Sequence, residues 1–263
     1  MAARPRGRDA FHCCGIRIDA LPLDQAVARL RALAAERAGR AVHLCNAWTL
    51  ALARRDPQLA AALNRGDLNL PDGTPLTWVG RRLGCPQLRR RVYGPDLLLA
   101  TVRAGRAAGL RHYLYGSTPA VVAGLARRLT ERVPGAELVG VESPPFRPLH
   151  PDEEAALLGR LRAAAAEVVW VGLGTPGQDL FVDRLRGRAA ATLVAVGAAF
   201  DFLAGAKPQA PVWLQDHGLE WAFRLACEPR RLWRRYLVGN AVFAGAALGD
   251  LAATSRARRA GPR

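Results

Sequence analysis

Short apolar runs alternate along this chain with longer segments whose apolar residues recur at three- and four-residue spacing. The runs predict buried strands, and the longer segments predict amphipathic helices. The predicted strands span residues 11–18, 41–45, 67–70, 112–115, 137–141, 168–171 and 192–196. The predicted helices span residues 23–37, 48–63 with a break near 56–57, 78–83, 97–108, 120–132 and 152–166. This alternation predicts an α/β fold with a mostly parallel sheet flanked by helices, a Rossmann-like core.

The pattern changes after residue 206, where tryptophans and arginines replace the alternation of strands and helices. Beyond Pro229, arginines lie between apolar and aromatic residues at helical spacing, which predicts a basic, aromatic helix. Such a helix suits packing through its tryptophan face, a solvated charged face, or the interface of an anionic membrane. The sequence therefore predicts a disordered basic tail at 1–10, an α/β core at 11–206, a membrane-associating helical appendage at 207–240 and a basic tail at 241–263.

One glycine-rich stretch sits between a predicted strand and a predicted helix. Gly172, Gly174 and Gly177 fit the dinucleotide fingerprint, and Asp201 follows the next predicted strand. A nicotinamide-dependent oxidoreductase is therefore one alternative. Against it, Pro176 removes a backbone N–H from the turn that a pyrophosphate would use. An ordinary strand-to-helix turn that needs glycine also accounts for the stretch.

Polar residues stand at the ends of other predicted strands. Asn46, Asp72 and Gln178 each follow an apolar run, so they can converge at one edge of a parallel sheet. A carboxylate at that edge could act as a general base towards a hydroxyl nucleophile. By residue type alone, Pro71-Asp72-Gly73 also fits a simple turn. The stretch that begins at Gly116 and precedes a helix is a weak phosphate-site signal, since Ser and Thr caps are common on helices that bind nothing.

No metal site or cofactor is expected from this sequence. It contains no Asp-x-Asp triplet and no His/Asp cluster with metal-ligand spacing. An enzyme acting on a nucleotide sugar would then hold the diphosphate with arginines or helix N-termini. The five cysteines are odd in number and lack CxxC spacing, which indicates a reducing cytoplasm rather than a disulfide framework.

Charge favours an anionic partner. The net charge is +16, and Lys207 is the only lysine among 38 basic residues. Phosphates, nucleic acid and an acidic membrane surface all fit this charge. No signal peptide is expected, and no charge-free run reaches the roughly 18 residues that a membrane span needs. The chain is therefore expected not to cross a membrane, although it could lie on one.

The ordered stretches resemble the WecG/TagA/CpsF family of bacterial glycosyltransferases, from about residue 12 to 240. The similar stretches are residues 42–46, 70–73, 91–96, 113–116, 171–178, 196–205 and 218–236. The resemblance implies an inverting, metal-independent enzyme at the cytoplasmic membrane face. The best-known members move N-acetylmannosamine from a UDP-sugar to an undecaprenyl-diphosphate-linked sugar, which implies a role in making cell-surface polysaccharide or teichoic-acid-type polymers.

The resemblance also implies roles for individual residues. Asp72 matches the catalytic base, and Asn46, Gln178 and Arg91 match polar residues of the same pocket. The remaining residues implied to bind substrate are Gly172, Gly174, Asp201, Arg224, Arg231 and Arg234, the three arginines belonging to the appendage. Gly116 is a further candidate, from its place before a predicted helix.

The partners implied are the UDP-sugar donor, the lipid-linked acceptor and an anionic membrane surface, without nucleic acid; a homo-oligomer stays open. A non-catalytic membrane scaffold is a further alternative.

Overall fold

The computed structural model describes residues 8–259. Its strands are β1 (Ala10–Cys13), β2 (Ile16–Asp19), β3 (Ala41–Cys45), β4 (Leu68–Pro71), β5 (Arg111–Gly116), β6 (Glu137–Glu142), β7 (Val168–Gly172) and β8 (Thr192–Ala195). The helices up to residue 204 are α1 (Leu23–Glu36), α2 (Ala47–Ala53), α3 (Pro57–Arg65), α4 (Thr74–Arg82), α5 (Gly94–Gly105), α6 (Pro119–Arg132), α7 (Pro151–Ala163), α8 (Gly177–Leu185) and α9 (Ala199–Ala204). The later helices are α10 (Val212–Asp216), α11 (Glu220–Cys227), α12 (Pro229–Trp233) and α13 (Gly239–Arg259), with a π-helical segment Arg234–Val238 before α13.

Six strands form one parallel sheet in the order β4-β3-β8-β7-β5-β6. Alternate residues of each buried strand face opposite sides of such a sheet. Leu114 packs with α1, α5, α6 and α9 on one side, whereas its neighbours Tyr113 and Tyr115 pack with α7 and α8 on the other. The predicted α/β class, a parallel sheet flanked by helices, is confirmed.

Residues 11–18 were predicted as one strand but form a hairpin. β1 and β2 pair antiparallel, and Cys14 and Gly15 between them have φ of 56° and 79°. Positive φ at two successive residues turns the chain back sharply, and the apolar run alone does not reveal this turn. The predicted break in the second helix is found, since Asp56 caps α3 and accepts from Gln58 N and Leu59 N.

The C-terminal segment differs from the predicted tail. Residues 241–259 belong to helix α13. Phe243 and Ala247 of this helix are buried in a cluster with residues of β1, α2 and α4. Asp250 accepts a hydrogen bond from Cys14 N at 2.7 Å. Helix α13 is therefore part of the folded domain. At the other end of the chain, residues 1–7 of the predicted basic tail lie outside the described residues, and Arg8 N donates to Gly84 O.

The C-terminal helices include one stretch that could span a membrane by length and composition. Pro229–Arg256 is 28 residues long, and an 18-residue window of it has a mean hydropathy of 1.4. The expectation that no charge-free run reaches about 18 residues is correct, but by mean hydropathy this one stretch is long and apolar enough to be a candidate span. A search for charge-free runs passes over this stretch because Asp250 interrupts it. Only 17% of that window is buried, although Phe243 and Ala247 pack on the core.

Candidate functional site

A cleft of about 470 Å³ opens where the parallel strands end. Asn46 follows β3, Asp72 follows β4, and Gly172 ends β7, and all three line the cleft. Gln178 of α8 and residues of the appendage, which we define as residues 207–240, line it as well. Ligands of open α/β sheets bind outside the carboxyl ends of the strands. The structure thus brings the predicted polar residues of separate strands together in the place where a ligand is expected.

Asp72 presents a carboxylate to this cleft. Its backbone N–H donates to Cys45 O at 2.8 Å, and its Oδ1 accepts from Gly94 N at 3.2 Å. The pKa of Asp72 is raised to about 7, chiefly by burial and also by nearby Glu220, against the lowering effects of Arg91 and the Gly94 N–H. A carboxyl group that titrates near neutral pH can accept a proton from a hydroxyl, as a general base must.

The side-chain oxygen of Asn46 has a structural role. Its Oδ1 caps α2 and accepts from Trp48 N and Thr49 N, both at 3.1 Å. Side-chain oxygens at this position satisfy free N–H groups of the first helical turn. The cap fixes Asn46 beside Asp72 and leaves its amide group to donate to a ligand in the cleft.

The glycine-rich turn is held by Gln178 rather than left open. Gln178 is 3% exposed, and its Oε1 accepts from Gly174 N at 3.1 Å. Gly174 itself has φ of 82°, which favours glycine. A Cβ at Gly172 would lie 2.8 Å from the Phe200 ring, so close packing explains that glycine. Because Gly174 N–H already has a partner within the turn, the fingerprint lacks one donor that a dinucleotide would use.

Two predicted binding residues lie differently from expectation. Gly116 is not among the residues that line the cleft, and a Cβ there would lie 2.6 Å from the Gly172 carbonyl. Its role in the structure is the close approach of β5 and β7. Asp201 lines the cleft, but it lies in the first turn of α9 rather than at the end of β8.

The appendage contributes arginines to the cleft, though not all of those predicted. Arg224 and Arg231 line it, as does Arg235, which the sequence reasoning missed. Arg234 does not; it is exposed and stacks on Trp233, with its Cζ 5.2 Å from the ring centroid. Adjacent residues of a helix point in different directions around its axis, so a single-residue offset decides which arginine enters the site.

Arg224 and Arg235 have no carboxylate partner among residues 8–259, whereas Arg231 pairs with Glu228. The Nε atom of Arg235 is buried and lacks a hydrogen-bond partner in that part of the chain. Burial lowers the pKa of Arg235, and the nearby Arg224 and Arg231 lower it further. Unpaired, partly desolvated guanidinium groups are suited to phosphate oxygens.

Arg91 joins the core to the appendage. It forms an ion pair with Glu220 of α11 and donates to Gln215 Oε1 at 3.0 Å. Its Cζ lies 4.0 Å from the centroid of the Tyr93 ring. Glu220 is 8% exposed and is a second cleft residue that the sequence did not predict. Its partner Arg91 is 129 positions away, and the residues next to Glu220 in the sequence give no sign of this ion pair.

Aromatic side chains line the mouth of the cleft. Phe146 is 84% exposed, Trp78 46% and Trp221 38%, and all three line it. Large apolar side chains that stay exposed around a concave site are typical of ligand or membrane contact.

One group of residues has the composition of a metal site. Ligand atoms of Cys13, Cys14 and Asp250 lie within 4.8 Å of one another, and none of these residues lines the cleft. The Asp250 carboxylate accepts from Cys14 N, which gives this carboxylate a structural partner.

Fold and cleft together define an α/β enzyme whose site combines a carboxylate with arginines that have no carboxylate partner in the described part of the chain. The model of the glycosyl transferase WecG/TagA/CpsF family matches residues 11–257. The chain belongs to this family of glycosyltransferases, and the resemblance drawn from the sequence is confirmed. One relative from Bacillus spizizenii is 30% identical over 186 residues, which cover 70% of each chain. That relative is named N-acetylglucosaminyldiphosphoundecaprenol N-acetyl-beta-D-mannosaminyltransferase.

Proposed function

We propose that this glycosyltransferase moves an N-acetylhexosamine from a UDP-sugar to a sugar linked to undecaprenyl diphosphate. N-acetylmannosamine and a lipid-linked N-acetylglucosamine are the first donor sugar and acceptor to test, because the relative from Bacillus spizizenii is named for them. The transfer would serve cell-surface polysaccharide or teichoic-acid-type biosynthesis. It would invert the anomeric configuration and need no metal ion.

One observation carries this proposal: the carboxylate of Asp72 shares a cleft with Arg224 and Arg235, whose guanidinium groups have no carboxylate partner among the described residues. A glycosyl transfer from a nucleotide sugar needs a base at the acceptor hydroxyl and positive charge at the departing diphosphate. The cleft contains a carboxylate for the first role and arginine side chains for the second.

The bonds exchanged follow from these positions. Asp72 removes the proton from the acceptor hydroxyl, and the oxygen attacks the anomeric carbon of the donor. The bond from that carbon to the diphosphate breaks, and UDP leaves with the electron pair. Arg224 and Arg235 stabilise the negative charge that develops on the leaving oxygen. A single displacement of this kind inverts the anomeric centre.

A transfer assay tests the proposal. Purified protein with UDP-N-acetylmannosamine and a short-chain polyprenyl-diphosphate-N-acetylglucosamine should release UDP and form a disaccharide product at the same rate with and without EDTA. A panel of other UDP-sugars would identify the preferred donor. Loss of activity in EDTA, restored by a divalent cation, would contradict metal independence. Saturable NAD binding without UDP binding would instead favour the oxidoreductase alternative.

Contact with the cytoplasmic face of the membrane is part of the same proposal, because the acceptor cannot leave the bilayer. Trp213 is 62% exposed, Trp233 45% and Leu237 58%, and arginines lie between them. Side chains of this kind suit the interface of an anionic membrane. Phe243 and Ala247 of α13 pack on the core, and a membrane-spanning α13 would lose these contacts. This packing favours attachment along the membrane surface.

We expect Trp233→Ser with Leu237→Ser to weaken binding to phosphatidylglycerol vesicles by about 30-fold, since each of the two exposed apolar side chains contributes about 1 kcal/mol when buried. Vesicle flotation measures this binding. Val141→Ser provides the control, because Val141 is exposed on β6, outside the appendage. Equal flotation of the double variant and the wild type would contradict this contact surface. Vesicle binding without UDP release from any donor would favour a scaffold.

A further inference from the structure

The charge of Arg91 acts on two carboxylates of the cleft. One is Asp72, whose pKa the Arg91 charge lowers, and the other is Glu220, which forms the ion pair with Arg91. Within residues 8–259, the Asp72 carboxylate accepts its hydrogen bond from Gly94 N and not from Arg91. The guanidinium of Arg91 is thus engaged by the appendage rather than by the base.

The engagement has several parts, which together fix the guanidinium. Gln215 accepts from Arg91 Nη2, and Gln215 Nε2 is itself held by Ala210 O at 2.8 Å. Tyr93 stacks under the guanidinium, and its hydroxyl accepts from Gln209 Nε2 at 3.4 Å. A planar guanidinium held by an ion pair, a hydrogen bond and a ring has little freedom to reorient.

The two carboxylates compete for one cation. An arginine that pairs directly with an aspartate holds its charged form strongly and makes it a poor proton acceptor. Glu220 and Arg91 are both largely buried, with side chains 11% and 14% exposed, so their attraction is weakly screened. In this arrangement the Arg91 guanidinium pairs directly with Glu220, and it acts on Asp72 only through its charge.

We propose that Glu220 is a positioning residue that holds the Arg91 guanidinium away from Asp72 and so keeps Asp72 competent as a base. The inference rests on the proposed function in assigning the base role to Asp72. Glu220 and Gln215 both belong to the appendage while Arg91 belongs to the core, so the contacts that hold the guanidinium join the two parts of the chain.

Other charged or titratable groups act on Asp72 from the elements around it. The groups that face it are Arg91, Glu220, Arg224, Arg235, Tyr93 and Cys45. Burial is the first cause of the raised pKa of Asp72, and Glu220 raises it whereas Arg91 and Arg224 lower it. Removal of the Glu220 charge alone leaves the cations in place, so the pKa of Asp72 must fall.

Glu220→Gln tests this role because it keeps the size of the side chain and removes its charge. We expect the pKa of Asp72 to fall by about one pH unit or more, the size of effect that a neighbouring cation has on an aspartate. The acid limb of the kcat profile should move to lower pH by the same amount, with a plateau lowered several-fold. Glu220→Asp, which retains the charge, should keep the wild-type midpoint.

Two measurements are needed. The first is a carbon-13 NMR titration of the Asp72 carboxyl in the full chain, assigned with Asp72→Asn. The second is kcat against pH in the transfer assay. Glu153→Gln is the control, since Glu153 pairs with Arg147 at the surface and does not line the cleft.

Activity that falls equally at every pH, with an unchanged Asp72 midpoint, would overturn the positioning role. The NMR titration does not depend on turnover. A wild-type protein without transferase activity would therefore refute the proposed function while the titration still decides whether Glu220 controls Asp72.

Discussion

Asp72→Asn should lower kcat at neutral pH by about a thousandfold, within the usual range for loss of a general base. The carboxylate lines the cleft and titrates near pH 7, and asparagine cannot accept a proton in its place. Steady-state UDP release measures the loss, and the affinity for UDP should change little. In the wild type, kcat should rise as the pH increases through about 7, because the base works only in its deprotonated form; this limb should be absent from the residual activity of the variant.

The same substitution has a second expected effect, on stability. The pKa of Asp72 is about 7 in the folded chain, above the roughly 3.9 of an unfolded aspartate, so the folded state binds the proton more tightly. The stability that this proton gives is present below pH 4 and is lost as the pH rises to about 7. Asp72→Asn removes this loss. Its melting temperature should therefore rise relative to the wild type across that window, as thermal unfolding by circular dichroism would show.

Asp96→Asn is the matched control, since Asp96 is exposed in the first turn of α5 and does not line the cleft. It should retain wild-type turnover. Near-normal activity of Asp72→Asn in a correctly folded protein would remove Asp72 from the base role. A melting temperature that drops sharply would instead show that the carboxylate is needed for the fold.

Arg235→Gln should lower kcat/KM for diphosphate-bearing substrates by about 10- to 100-fold, as expected for the loss of a charge-assisted hydrogen bond. The buried, unpaired Nε of Arg235 and its place beside Arg224 give it this role. Kinetics with donor and acceptor varied separately would show which diphosphate it contacts.

Arg234→Gln is the neighbouring control and the sharper half of the experiment. The family resemblance implicates Arg234, whereas the structure directs Arg235 to the cleft and leaves Arg234 exposed on Trp233. We expect Arg234→Gln to retain nearly full kcat/KM with a soluble acceptor. The reverse ranking of the two variants would mean that the helix turns differently when substrate is bound.

Most of the core followed from the sequence. The strands β3, β5, β7 and β8 were predicted within a few residues, because buried parallel strands are short apolar runs and the glycines and prolines around them mark their ends. The hairpin of β1 and β2 was missed because its turn depends on backbone angles that Cys14 and Gly15 adopt. Helix α13 was missed because its apolar face is diluted by alanine and glycine, which carry little periodic signal.

By itself, the sequence determined the fold class, the family and the residues that end the strands, among them Asn46, Asp72 and Gln178. These are local properties, since apolar spacing and strand-end residue types lie within a few positions of one another.

Only the tertiary structure decided which arginine of the appendage enters the cleft and which carboxylate engages Arg91. Both depend on how distant segments pack. Arg234 and Arg235 are adjacent in a helix but point in different directions, and only Arg235 lines the cleft. Arg91 and Glu220 are far apart in the chain and meet only in the folded structure. The electrostatics around Asp72 are set by burial and by these packed neighbours, and the order of residues in the chain does not specify either.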